Sequence, residues 1–363
     1  MPTTKELYEE IKREIPNIQY NKYLVDKEIC LPSEQLAMLK ELLLTWNENK
    51  MADAAKRLLN DILMQPNNQN GKVYEALVYA WLSRQSVRYE PQVHINKEEC
   101  FKQTESGYEA DGMILENSII FDVKQFGVTL PHIETLKRKL QAKIPNEYYL
   151  TISGGKNIST RDIQTDLLEK FDEIANAIMH SENMNHTDYI YRDKKYGLEF
   201  RAWKKESNKL YTSISEFNLY EWAENNEFYF MYHASQFCLN TPYILFCPFD
   251  KSIAHTFSKD DVGFTNTALR ALCRRIFINL VKMDNRKINE FDRKAMPNIS
   301  VSTASRKISA IVFMDVSEEY DYSHCRTFVF QNPNADCKIH RYQIDTIFRY
   351  AGAFIEDFQF DNY

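Results

Sequence analysis

The stretch Ile119-Ile120-Phe121-Asp122-Val123-Lys124 sets a carboxylate and an ammonium into a run that otherwise has the character of a buried β-strand. Side chains alternate faces along a strand. Ile119, Phe121 and Val123 therefore share one face, and Ile120, Asp122 and Lys124 share the other. Upstream, Glu109-Ala110-Asp111-Gly112-Met113-Ile114-Leu115 forms a second β-favouring run, and Glu116-Asn117-Ser118 supplies a polar turn between the two. The pattern predicts a hairpin in which Asp111 approaches Asp122 and Lys124. Other acid-x-Lys triplets occur, such as Glu48-Asn49-Lys50 and Asp336-Cys337-Lys338, but none ends a run like Ile-Ile-Phe. Two convergent carboxylates beside a lysine suit a hard divalent cation and a phosphate. The plainer alternative is a salt bridge at a strand end.

The segment Val73 to Leu82 is helical in character and apolar nearly all round, with Glu75 as its single charge. Such a helix is buried, and a buried carboxylate needs a partner or a metal. An ion pair with Lys72, Arg84 or Arg88 would serve as well as a metal.

Helical Glu75, then Asp111, then Asp122-x-Lys124 resembles the active-site motif of the PD-(D/E)XK nuclease superfamily, which includes many restriction endonucleases. The order of elements is similar too: a helix with Glu75, a strand near Val87–Tyr89, the Asp111 and Asp122 strands, a helix from Ile133 to Lys143, and a strand from Tyr148 to Ser153. That matches the family's αβββαβ core and covers roughly residues 67 to 180. Ala110, where the family's motif has proline, is a departure. The resemblance implies metal-dependent cleavage of nucleic acid. Asp111 and Asp122 would hold Mg²⁺, with Mn²⁺ as a substitute, and Glu75 would complete the acidic cluster. Lys124 would assist deprotonation of the attacking water and offset charge on the phosphate.

A chain of 363 residues with 44% hydrophobic and 13% aromatic residues belongs to a folded protein of one large domain or two. Its net charge of −6 excludes a uniformly basic coat, so any nucleic-acid contact must be local. Only nine glycines make Gly-rich cofactor loops improbable on composition. The polar N-terminus lacks a secretory pattern and no long apolar run is present, so no membrane partner is expected. Seven cysteines without framework spacing point to reduced thiols and a cytoplasmic setting.

Leucines and alanines at helical spacing predict a helical region over residues 1–66, closed by the polar break at 65–71. A core over 67–180 follows, ending in a long amphipathic helix from Thr160 to His180 with a cap at Ser159 or Thr160. Residues 181–240 read as an insertion or arm with short β-like pieces such as Leu198–Trp203 and Tyr211–Ile214. Residues 241–363 read as a C-terminal α/β region that continues the core sheet or forms a second layer, with strands at Tyr243–Pro248, Ile308–Met314 and Arg326–Phe330 and a helix at Thr265–Met283.

Residues Arg270 to Lys307 hold ten basic side chains against three acidic ones. Arg270, Arg274 and Arg275 are candidates for the phosphate backbone, as are Lys137 and Arg138 on the helix after Lys124. A solvated charged face is the alternative. Gly154-Gly155-Lys156 lacks Walker spacing, yet Lys156 and its backbone could touch a phosphate. His324, Cys325, Cys337 and His340 lie close enough in sequence to raise a zinc site, but the adjacent pair would point to opposite sides of a strand. The expected fold is α/β: a restriction-endonuclease-like mixed sheet flanked by helices, with a helical N-terminal region and an α/β C-terminal elaboration. The expected function is Mg²⁺-dependent endonucleolytic hydrolysis of DNA in restriction or anti-phage defence, carried out by a homodimer or larger assembly. The alternatives are an inactive nuclease-fold module that binds DNA or a partner, and an RNA-processing nuclease.

Overall fold

In β8, Tyr243–Phe249, every residue is buried, and this strand shows how the sheet is sandwiched. Tyr243, Leu245, Cys247 and Phe249 enter one hydrophobic cluster, while Ile244 and Phe246 enter the other. A strand apolar on both faces needs cover on both. The computed structural model describes residues 4–14, 33–48, 51–64, 69–101, 107–126, 131–154, 163–184, 188–204, 236–249, 262–282, 299–316 and 325–356, with isolated positions at 16, 287, 358 and between 223 and 234.

The main sheet has seven strands in the order β1-β2-β3-β8-β9-β10-β11. These are β1 Tyr89–Ile95, β2 Tyr108–Ile114, β3 Ile119–Val123, β8, β9 Ala310–Asp315, β10 Arg326–Gln331 and β11 Phe354–Glu356. β1, β2 and β3 pair antiparallel, then β8 lies parallel to β3 and β9 parallel to β8. The sheet is therefore mixed.

One face is covered by α1 Thr4–Glu14, α2 Ser33–Glu48, α3 Ala52–Met64 and α4 Gln69–Arg84. Their Leu42, Trp46, Leu58, Leu77 and Trp81 join Ile119, Phe121, Val123, Ile244 and Val312 in a single cluster. The N-terminal helices thus form one layer of the main domain. Leu39, Leu42, Leu43, Leu58 and Leu59 are buried as their spacing predicts. The opposite face carries Ile120, Leu245, Ile311, Phe313 and Phe330 and is covered by α7 Val262–Arg274, which continues as a wider π-helical turn to Asn279 and a tight 3-10 turn to Lys282, and by α8 Val301–Lys307.

The strand at Tyr148–Gly154, β4, does not join this sheet. It belongs to a second, antiparallel sheet in the order β4-β7-β6-β5, with β5 Glu182–Met184, β6 Asp188–Arg192 and β7 Leu198–Lys204. With α5 Pro131–Lys143 and α6 Phe171–Met179 it encloses its own hydrophobic cluster around Leu136, Leu140, Leu150, Ile178 and Phe200. This corrects the expectation that Tyr148–Ser153 supplies the core's fourth strand. The physical reason is patterning: Leu150 is buried while Tyr149 is 49% exposed, which suits a sheet with one wet face. The fully apolar Tyr243–Phe249 run suits the centre of a three-layer sandwich, and it takes the place beside β3.

The single helix expected over Thr160–His180 is two pieces, a π-helical turn at Ile163–Leu167 and α6. Asp166 in that turn is drawn to Lys170, to Lys195 and to the Tyr196 hydroxyl of the β6–β7 turn. The expected caps at Ser159 and Thr160, Lys156, and the β-like piece at Tyr211–Ile214 lie outside the described residues. Among the described residues no helix is long and apolar enough to cross a membrane, and six cysteines are free thiols.

Gly112 lies where β2 crosses under the ring of Phe121. A Cβ there would come within 2.4 Å of Phe121 Cζ and 2.8 Å of the Glu90 carbonyl oxygen. Gly112→Ala should lower stability by about 1–3 kcal/mol, as overpacking of a well-filled core does. A urea melt of the two proteins gives the value, and an unchanged midpoint would contradict the close approach.

Candidate active site

The β2–β3 ladder runs through Ile114↔Ile119, Met113↔Ile120 and Gly112↔Phe121 and then stops. The next facing residues are Asp111 and Asp122. Backbone N–H groups left at such a break must find acceptors. Each aspartate supplies one for the other strand: Asp122 Oδ1 accepts from the Asp111 N–H at 3.0 Å, and Asp111 Oδ2 accepts from the Val123 N–H at 2.7 Å. Two side chains thus replace a ladder rung. The carboxylates are brought together by the same bonds that end the pairing.

Asp122 has no exposed surface. Its Oδ1 accepts a second hydrogen bond, from the Tyr108 hydroxyl of β2 at 2.6 Å, and its Oδ2 accepts from the Tyr243 hydroxyl of β8. Three donors thus meet one buried carboxylate, from the strands on either side of β3. Burial raises its pKa, Lys124 beside it lowers it, and Asp111 raises it again, for a result of about 6. Burial and the Asp122 charge push both tyrosine hydroxyls upward, so they stay protonated and act as donors.

Glu75 sits on α4, 3% exposed, where Val73 and Tyr74 to Leu82 are otherwise apolar and buried as the sequence predicts. Its Oε2 accepts from Lys72 Nζ at 2.6 Å and its Oε1 lies 2.9 Å from the Tyr79 hydroxyl. Tyr79 is fixed by an edge contact with Trp46, a stack on Tyr89 and an edge contact with Phe121. That hydroxyl also lies 2.5 Å from the Asp111 carbonyl oxygen. One phenolic proton cannot serve two acceptors fully. Both contacts are satisfied when Glu75 itself carries a proton and donates to Tyr79, which donates onward to Asp111. Burial and the Asp111 charge raise Glu75 to about 7 against the pull of Lys72, in the same direction.

Glu75 was expected as a third metal ligand. As folded, both its oxygens are engaged by Lys72 and Tyr79, and among the described residues no three His, Cys, Asp or Glu side chains converge as a metal-binding group. Asp111 and Asp122 remain as a pair. Two carboxylates fit Mg²⁺, which keeps several waters and takes one or two protein carboxylates. Gln92 stands between the pairs Pro91↔Gly112 and Val93↔Ala110, hence opposite Asp111. Its backbone is left-handed, with φ 54°, and its Oε1 is buried without a hydrogen-bond partner among the described residues.

Lys124 is half-buried, its N–H donating to the Phe246 carbonyl at 2.8 Å. Among the described residues no carboxylate lies within ion-pairing distance of its ammonium. Lys72 is a second cation of the site, one that sequence reading treated only as a neutraliser of Glu75; it also lies 3.8 Å from Asp61. Tyr79, Tyr108 and Tyr243 were not anticipated; the i, i+4 spacing of Glu75 and Tyr79 on one helix was a usable signal, whereas the partner of Tyr243 is 121 residues away.

Most of the basic candidates are engaged by partners of their own. Arg270 pairs with Glu356 of β11 at 2.9 Å, and Arg275 with Glu227 at 2.6 Å and Glu224 at 3.6 Å. β11 is four strand steps from β3, about 19 Å at the usual spacing. Lys137 and Arg138 belong to α5 of the second unit, where Lys137 donates to the Tyr149 hydroxyl at 3.3 Å. Arg84 pairs with Glu41 and Arg88 with Glu116. Cys337 and His340 form no metal group with Cys325, while His324 lies outside the described residues.

Comparison of the chain with models of known protein families, with curated proteins and with solved structures finds no match.

The raised Glu75 carboxyl has a consequence for stability. Its ordinary value is 4.5 and its folded value about 7, so the folded state holds the proton more tightly. Its contribution is present below pH 4.5 and lost as pH rises through 7. Glu75→Gln, which mimics the protonated form, should match the parent near pH 4.5 and exceed it by up to about 3 kcal/mol at pH 8. Urea melts in EDTA at the two pH values measure this; a gap independent of pH would show that Glu75 is ionised throughout.

Proposed function

We propose that this chain is a metal-dependent nuclease hydrolysing DNA phosphodiester bonds, with a core similar to that of the PD-(D/E)XK superfamily. The observation that carries the reading is the pair Asp111 and Asp122 at the point where β2 and β3 part, with Lys124 two residues on along the same strand. The order of helix α4, three antiparallel strands and a parallel fourth beside β3 supports it. The second unit then stands as an insertion between β3 and the fourth strand.

Asp111 and Asp122 would hold Mg²⁺ or Mn²⁺. When bound, the ion supplies Lewis-acid stabilisation of charge on the phosphoryl oxygens. Lys124 contributes a compact positive charge on the face of β3 that carries Asp122, suited to offset negative charge as the phosphorus gains its fifth oxygen. Glu75 keeps Lys72 in place and, through Tyr79, fixes the backbone carbonyl of Asp111. Cutting a duplex with one site per chain calls for a symmetric dimer; a restriction or defence role rests on the resemblance alone, and a cytoplasmic setting on the cysteine content. RNA as substrate is the variant of this reading that a plasmid assay separates.

A binding module without turnover is the second reading, and the full burial of Asp122 favours it. The readings part on activity. Plasmid and linear DNA incubated with Mg²⁺ should be cleaved and should survive in EDTA, while RNA under the same conditions stays intact. Asp122→Ala and Lys124→Ala should each lower the DNA cleavage rate by about a thousandfold or more, since each removes several kcal/mol of transition-state stabilisation. Full activity in a folded Asp122→Ala protein would remove the site assignment, and intact DNA under every condition would favour the binding module.

A further inference from the structure

Two tyrosines hold Asp122, and their settings differ. Tyr243 is completely buried at the centre of the sheet, its ring tilted against Phe237 with centroids 5.2 Å apart. Its backbone N–H donates to the Ser309 hydroxyl at 2.9 Å. Turning its ring would open a hole in a close-packed core. Tyr108 is the first residue of β2 and is partly exposed. Its backbone is held by pairing with Ile95, and among the described residues no ring packs on its own. Its ring packs against the edge of the cluster on this face, and with one side already exposed it can turn outward at a smaller cost in packing than the fully enclosed Tyr243.

The hydrogen-bond count gives this contrast a purpose. Oδ1 of Asp122 already accepts from Tyr108 and from the Asp111 N–H, and Oδ2 accepts from Tyr243. With no exposed surface, the carboxylate offers a cation no approach while all three donors stay in place. One must withdraw, and only Tyr108 can do so without disturbing the sheet.

Resting on the nuclease reading, we infer that Tyr108 is a removable cap over Asp122 and Tyr243 its fixed anchor. The Tyr108 hydroxyl withdraws from Oδ1 to admit a divalent cation, while Tyr243 keeps Oδ2 and the carboxylate plane oriented. Both are positioning residues, and their loss has opposite signs. Tyr108→Phe removes a donor that competes with the cation, so affinity rises. Tyr243→Phe removes a bond that orients the ligand, so affinity falls, as loss of an outer partner of a metal ligand does.

The test is Mn²⁺ binding to the full chain stripped with EDTA and then dialysed free of chelator, followed by the electron paramagnetic resonance signal of free Mn²⁺. Tyr108→Phe should lower the dissociation constant by about tenfold, the scale of one hydrogen bond to a charged group. Tyr243→Phe should raise it by about tenfold or more. Asp122→Asn should lose the site. A merely structural role would weaken binding in both phenylalanine variants. Equal or weaker binding in Tyr108→Phe therefore overturns the proposal, and it does so even if Tyr243→Phe fails to fold; unchanged binding in a folded Tyr243→Phe protein overturns the anchor. Should the parent chain bind no Mn²⁺ that Asp122→Asn abolishes, the nuclease reading falls and this proposal with it. A parent that binds, with a Tyr108→Phe variant that binds no better, removes the proposal alone.

Discussion

A carboxylate with no exposed surface must be satisfied where it lies, and the centre of this protein is arranged around that requirement at Asp122. Both its oxygens are engaged, by a backbone N–H of one neighbouring strand, a hydroxyl from that same strand and a hydroxyl from the strand on the other side. The Asp111 carboxylate returns the exchange by accepting from Val123. The parting of β2 from β3 is therefore a bonded feature. It is also what leaves two acids side by side, one buried and one reaching toward solvent.

The layers beside this point serve it. Trp46, Tyr79, Tyr89 and Phe121 form an aromatic wedge that sets the Tyr79 hydroxyl between Glu75 and the Asp111 carbonyl. Trp46 donates its indole N–H to the Tyr89 hydroxyl at 2.9 Å, which satisfies the one polar group that ring carries into the core. The N-terminal helices are thus tied to the site through a chain of rings. On the other face, Tyr243 is held by Phe237 and by Ser309, whose hydroxyl also bonds the Cys337 carbonyl. Perturbation of either layer is transmitted to the acidic pair through side chains in contact.

Charge is distributed with the same economy. Lys72 and Lys124 stand near three carboxylates, and the buried acids shift toward neutrality where the lysines do not compensate them. Arg270 and Arg275, prominent in the sequence as a basic run, are drawn into ion pairs with Glu356 and Glu227. Their positive charge is offset locally, so the run is a weaker attractor of phosphate than its composition implies.

What the sequence determined by itself was local. The two-residue period of Ile119 to Lys124 set Asp122 on the face opposite Phe121 and Val123, and the hairpin set Asp111 across from it; both follow from strand geometry within fifteen residues. The apolar run around Glu75 announced a buried acid for the same reason. Tertiary structure alone decided which strand lies beside β3, because β4 and β8 both read as strands and only the cover available to each face separates them. The pairing of Glu75 with Lys72 and Tyr79 follows from helical spacing, but tertiary structure alone decided that Tyr79 reaches the Asp111 carbonyl and that Tyr243, 121 residues from Asp122 in sequence, closes over it. A hydroxyl has no periodicity that marks its partner, and a bond across that span exists only once the whole sheet has assembled.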